Sequence, residues 1–207
     1  MNSCIAFDLD GTLITCQQKQ TMLLKYIMAS NEILQKNTTA IWELKRAGYS
    51  TFDALIKNGF NKSLAKKMCD EWCSSVEDFY WLSYDTPYND VYSTLELLKS
   101  ENELYLITAR KNKNNVLYQL SQLGLDRFFR DVFVVPQKNV SNNKKKILES
   151  LRCDFFIGDT ESDFFATEQL STQFIGCING QRNKHYLSCV GVNVFIDNIS
   201  NINLYIK

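Results

Sequence analysis

Short apolar runs rich in β-branched and aromatic residues alternate with longer amphipathic stretches through the second half of the chain. Cys4–Phe7, Leu104–Ile107, Val132–Val135, Phe155–Ile157, Phe174–Ile178 and Val192–Ile196 predict buried strands. Between them, Asn114–Leu123 and Lys144–Leu151 carry apolar residues at helical spacing, Val116, Leu117, Leu120 and Leu123 in one and Ile147, Leu148 and Leu151 in the other. This alternation predicts an α/β fold, a doubly wound parallel sheet covered by helices on both faces. The first strand stands apart from the others. The intervening stretch reads as helix, with amphipathic segments at Met22–Leu34, Thr39–Lys45, Phe52–Ile56 and Leu64–Leu82, punctuated by Gly48 and Gly59. Residues 15–84 are therefore expected to form an inserted α-helical cap, and residues 1–14 and 85–207 the core. Pro87 marks the return to the core, and Val91–Leu98 predicts the helix leading into the second strand.

Composition narrows the function classes. The chain has 207 residues, 45% hydrophobic and 22% charged, which suits one folded core with a smaller inserted part and argues against disorder. Lys plus Arg and Asp plus Glu each total 23, and no basic stripe appears, so a nucleic-acid partner is not expected and a small substrate is. No stretch approaches the roughly 18 consecutive apolar residues of a membrane span. The opening residues lack a signal-peptide pattern, so a cytoplasmic address with no membrane partner is expected. The seven Cys have no paired spacing beyond Cys69 and Cys73, one helical turn apart, and are expected to be free thiols. The lone His185 is expected on the surface or in a loop.

Four segments carry candidate chemistry. Asp8-Leu9-Asp10-Gly11-Thr12-Leu13 follows the first strand directly, so Asp8 and Asp10 project together from its carboxyl end, where open parallel sheets bind ligands. Gly11 permits the turn and Thr12 offers a hydroxyl to fix it. Two carboxylates this close call for a cation or a proton, and Mg²⁺ can join a carboxylate to a phosphate oxygen. In Gly158-Asp159-Thr160-Glu161-Ser162-Asp163, Asp159 sits at a second strand end and Asp163 falls in the first turn of the next helix. Thr108, with the backbone of Ala109 and Arg110, ends a third strand and offers donors to phosphate oxygens. Lys144-Lys145-Lys146, at the start of a predicted helix, offers a cation for a transferring group.

In this order, the four segments resemble the motifs of the haloacid dehalogenase-like superfamily of hydrolases, in its phosphatase type with a helical C1 cap, similar to phosphoglycolate phosphatases. The resemblance covers residues 1 to 14 and about 85 to 200, and implies a Rossmann-like core. It also implies that a small phosphorylated metabolite transfers its phosphoryl group to Asp8 and then to water. Asp10 would act as general acid and then general base, its backbone carbonyl also ligating Mg²⁺. Gly11, Thr12, Thr108, Ala109, Arg110 and Lys144 would bind substrate, and Asp8, Asp10, Asp159 and Asp163 would hold the metal. Lys144 fits the family's lysine best, with Lys145 as the alternative. Arg110 or Arg46 could meet a second anionic group of the substrate. The cap aromatics, Trp42, Trp72 and Trp81 among them, are expected mostly in helix packing. A dehalogenase does not need Asp10. A sugar phosphomutase of the β-phosphoglucomutase kind would keep all four motifs, and a non-catalytic phosphate-binding module is a third reading.

Overall fold

The computed structural model describes residues 2–33 and 37–206. Six strands, β1 (Cys4–Phe7), β2 (Glu103–Ala109), β3 (Asp131–Val135), β4 (Phe155–Gly158), β5 (Gln173–Cys177) and β6 (Phe195–Ile196), form one all-parallel sheet in the order β3-β2-β1-β4-β5-β6. The chain inserts five helices after β1: α1 (Gln17–Ser30), α2 (Thr38–Arg46), α3 (Thr51–Lys57), α4 (Lys62–Ser75) and α5 (Phe79–Leu82). Five more alternate with the strands: α6 (Val91–Glu101), α7 (Lys113–Gln122), α8 (Val140–Leu151), α9 (Glu161–Thr167) and α10 (Lys184–Cys189).

The central strands are apolar runs because both faces of the sheet are covered. On one face Ile5, Phe7, Leu104, Leu106 and Ile157 pack against Val91, Leu95 and Leu98 of α6. On the other, Ala6, Tyr105, Ile107 and Phe156 pack against Leu148 of α8 and Ala166 of α9. The inserted helices bury their own cluster, with Leu23, Leu24 and Ile27 of α1 against Ile41, Leu55, Met68 and Trp81. Polar caps start these helices: the side chains of Asn37, Ser50 and Asn61 accept from the backbone of Ala40, Asp53 and Leu64. The insertion is pinched at its base, where Thr15 N donates to Thr86 O and Ile14 bridges Pro87.

Several boundaries differ from the periodicity. The run Leu64–Leu82 breaks into α4 and α5, because Glu77 at the break turns its carboxylate to the core and accepts from Lys111 N at 2.9 Å and Gln137 Nε2 at 2.8 Å. Helix α8 starts four residues before Lys144, so that lysine lies in the second turn, clear of the helix N-terminus. Of Val192–Ile196, only Phe195 and Ile196 pair with β5. Helix α1 begins at Gln17 and ends at Ser30, and Leu34 lies outside the described residues. His185 is exposed on α10. No helix among the described residues is long and apolar enough to cross a membrane.

Candidate active site

Because all six strands are parallel, their carboxyl ends share one edge, and the strand order reverses at β1, where the loops after β1 and β4 part to opposite sides. Asp8 sits one residue past β1, its N–H extending the ladder to Ile157 O at 2.8 Å. Asp159 follows β4, and α9 then brings Asp163 back one turn later, its Oδ2 accepting from Thr160 N at 3.2 Å and Thr160 Oγ1 at 2.6 Å. Each of the three carboxylates has an oxygen within 4.8 Å of the others, and all three side chains are buried.

Lys144 completes this cluster. On α8 it shares a face with Ile147, Leu148 and Leu151, and packing that face on the sheet carries the ammonium inward. Its Nζ donates to Asp8 Oδ1 and to Asp163 Oδ1, both at 2.6 Å. Lys145 instead reaches Gln169, and Lys146 is exposed. With all three carboxylates ionised, one ammonium would leave two negative charges in a buried site. Each pair of like charges at such a spacing costs about 3–4 kcal/mol at an effective dielectric near 20. Burial, reinforced by Asp163 and opposed by Lys144, pushes the Asp8 carboxyl up to about 7. Burial and the charges of Asp8 and Asp163 push Asp159 well above the usual carboxylate range. Burial disfavours the charged form of Lys144, but Asp163 and Asp8 outweigh it and keep the amine protonated.

The donor set fits a hard divalent ion. Asp159 Oδ2 accepts from Gln181 N at 2.6 Å, while its Oδ1 is buried with no hydrogen-bond partner among the described residues. An orphaned carboxylate oxygen beside two other carboxylates has the chemistry to ligate a cation. The loop is shaped around it: Gly11, at φ +85°, and Gly180 both lie so close to Asp159 that a Cβ on either would overlap its Oδ2.

Asp10 belongs to a second, self-neutralised cluster. Arg110 grips it in a fork, Nε to Oδ2 at 2.7 Å and Nη2 to Oδ1 at 2.6 Å, and Lys19 of α1 adds a bond to Oδ1 at 3.1 Å. Lys19 also bonds Asp85 Oδ2 at 2.5 Å, so two cations meet two carboxylates. Burial alone would raise the Asp10 carboxyl, but Arg110 and Lys19 outweigh it and hold it below the usual range. Arg110 is thereby committed to Asp10, and Arg46 donates to Ile178 O at 2.6 Å.

A cavity of about 230 Å³ opens over the cluster, lined by Asp8, Asp10, Thr108, Lys144, Asp163 and Arg182 among others. A second, of about 110 Å³, shares Asp10, Ala109, Gln137 and Gln181 with it and runs under the inserted helices to Lys19, Trp72 and Arg110. Trp42 and Trp81 are buried in the packing of the insertion. Gly11 and Thr12 line neither; they face a separate recess with Tyr88 and Cys177. Sequence reasoning missed Lys19, Asp85, Glu77 and Gln181. A signal existed only for Gln181, which follows Gly180 in the loop past the carboxyl end of β5, at the same sheet edge as Asp8.

Comparison with known proteins agrees with this fold. The profile of the haloacid dehalogenase-like hydrolases matches residues 5–177. No curated protein matches the sequence. Among solved structures, a haloacid dehalogenase-like family hydrolase from Streptococcus pneumoniae superposes with a TM-score of 0.80 at 16% identity, covering 100% of this chain and 99% of its own. A protein from Clostridium difficile, whose phosphatase assignment is itself a prediction, gives 0.79 at 18% identity, with 100% of both chains covered. A predicted phosphoglycolate phosphatase from Haemophilus somnus gives 0.72 at 16% identity, covering 100% and 98%. Identities this low speak to the fold, and the profile match spans most of the chain including both acidic strand ends: the chain belongs to the haloacid dehalogenase-like hydrolase family.

Proposed function

We propose that this protein is a Mg²⁺-dependent phosphatase that hydrolyses a small phosphate monoester through an aspartyl-phosphate on Asp8, with residues 15–84 as its cap. The observation that carries this reading is the charge balance: with its carboxylates ionised, the Asp8, Asp159, Asp163 and Lys144 cluster carries two excess negative charges, while the neighbouring Asp10 cluster balances itself.

Asp8, Asp159 and Asp163 would hold the ion, with the Asp10 carbonyl added by family resemblance. Mg²⁺ bound there supplies positive charge that lets a phosphate approach a carboxylate nucleophile. Lys144 orients Asp8, favours its ionised form and offsets charge on the phosphoryl oxygens. Thr108 and Ala109 line the same cavity and offer it polar contacts. Asp8 Oδ attacks phosphorus, the ester oxygen leaves, and water later cleaves the acyl phosphate. Asp10 passes a proton to the leaving oxygen and then takes one from water. Arg110 and Lys19 favour its ionised form, so donating the proton is the harder of its two duties. The leaving group would occupy the cavity under the inserted helices, lined by Lys19, Trp72 and Arg110.

The test is phosphate release from a panel of phosphorylated metabolites with purified protein and Mg²⁺. Release is expected for small monoesters, and it should vanish with a chelator or with Asp8→Asn. Near-wild-type release by Asp8→Asn would overturn the proposal.

A further inference from the structure

We propose that Cys4 and Cys153 are a paired dithiol that a peroxide closes to a disulfide, tying β1 to β4 at the sheet edge opposite Asp8. Their Sγ atoms lie 3.0 Å apart, although the residues are 149 positions apart in sequence. Both are free thiols in the structure. Cys4 opens β1, and Cys153 lies between α8 and β4.

The backbone around the pair is already in place. Cys4 N donates to Asp154 Oδ2 at 2.8 Å and Asp154 N donates to Cys4 O at 2.8 Å, so the two segments are held side by side. Closing to a bonded separation of about 2.0 Å asks for roughly 1 Å of side-chain adjustment. The two thiols also differ in access: Cys4 is half-buried, whereas Cys153 is 1% exposed. The hydrogen bond with Cys153 lowers the Cys4 thiol and raises that of Cys153, which sets Cys4 as the attacking sulfur. Among the other cysteines, Cys16 and Cys177 are buried, Cys69 and Cys73 are one turn apart on α4, and Cys189 lies 3.9 Å from His185.

The chemistry balances with a peroxide as oxidant. The Cys4 thiolate attacks one peroxide oxygen, the O–O bond breaks, and Cys4 sulfenic acid forms as hydroxide leaves and takes up a proton. The Cys153 sulfur then attacks the Cys4 sulfur, forming S–S and breaking S–O. The second oxygen departs as water with the Cys153 proton. Two thiols are oxidised by two electrons and one hydrogen peroxide becomes two waters.

The link would leave turnover alone, since β1 separates Cys4 from Asp8 by four residues, about 13 Å of strand. Stability is what it would change, because it closes a very long loop of the unfolded chain.

The experiment treats the full chain with hydrogen peroxide, blocks remaining thiols and maps peptides without reduction. The expected result is a Cys4–Cys153 linked peptide and a melting temperature raised on the order of 5–15 °C. Dithiothreitol should reverse the shift, and Cys4→Ser and Cys153→Ser should each lack it. Cys4 ending as sulfinic acid beside a still-alkylatable Cys153 would overturn the proposal. So would linkage of either residue to another cysteine, or a cross-linked chain that melts no higher than the reduced one.

Discussion

Lys45 is a buried amine with no carboxylate partner among the described residues, and replacing it should change how stability depends on pH. Its Nζ donates to Gln20 Oε1 and lies 4.2 Å from the centroid of the Trp72 ring. Burial lowers its amine from 10.5 to about 7; Cys16 pulls the other way, Arg182 adds to the fall, and Cys69 and Cys73 oppose it weakly. Arg182 is itself neutralised by a two-bond fork to Glu161. Between pH 7 and 10.5 the unfolded chain carries a proton on this amine that the folded chain does not. Stability therefore rises with pH through that window, and the full cost of the buried charge is borne below it. Integrated from pH 6 to pH 9, the residue should contribute an increase of about 3 kcal/mol. Lys45→Met keeps the chain length, removes the titration and gives up the bond to Gln20, worth roughly 1 kcal/mol, at any pH, and the cation–π contact with Trp72 only where the amine is charged. Urea unfolding of both proteins at pH 6 and pH 9 reads the difference. The gap between variant and wild type should move in the variant's favour by about 3 kcal/mol on going from pH 9 down to pH 6. Parallel stability curves for the two proteins would refute the reasoning.

Two further substitutions probe the acidic cluster. Lys144→Gln should lower phosphate release by at least about 100-fold and destabilise the Mg²⁺-free protein by roughly 3 kcal/mol, since three buried carboxylates lose their cation; equal melting temperatures with and without Mg²⁺ would contradict this. Gly180→Ala should cost about 1–3 kcal/mol in urea unfolding and weaken Mg²⁺ binding measured by calorimetry, because its methyl overlaps Asp159 Oδ2 and Gly11 O.

Much of the site was legible because strand ends are local features. An apolar run that stops at an acid identifies both the strand and the direction of the carboxylate, which is why Asp8 and Asp159 could be read from the sequence alone. Lys144 needed the phase of α8: the run of three lysines was visible, but only burial of the face with Leu148 separates Lys144 from Lys145 and Lys146. The Asp10 partners were not legible. Lys19 falls just before the predicted amphipathic segment Met22–Leu34, and Asp85 lies 66 positions further along the chain. Only the pinch at Thr15 and Thr86 brings the two crossings together. Glu77 was hidden for the same reason: the amphipathic run continued through it, and a contact with the loop after β2 ended the helix.

The central claim is that Asp8 carries the phosphoryl group. Rapid acid quenching of the Mg²⁺-loaded protein during turnover of a phosphorus-labelled substrate, followed by peptide mapping, tests it directly. The account predicts transient, hydroxylamine-labile label on the peptide containing Asp8, and none with Asp8→Asn. Label on another residue, or full turnover in which Asp8 is never labelled, would contradict it.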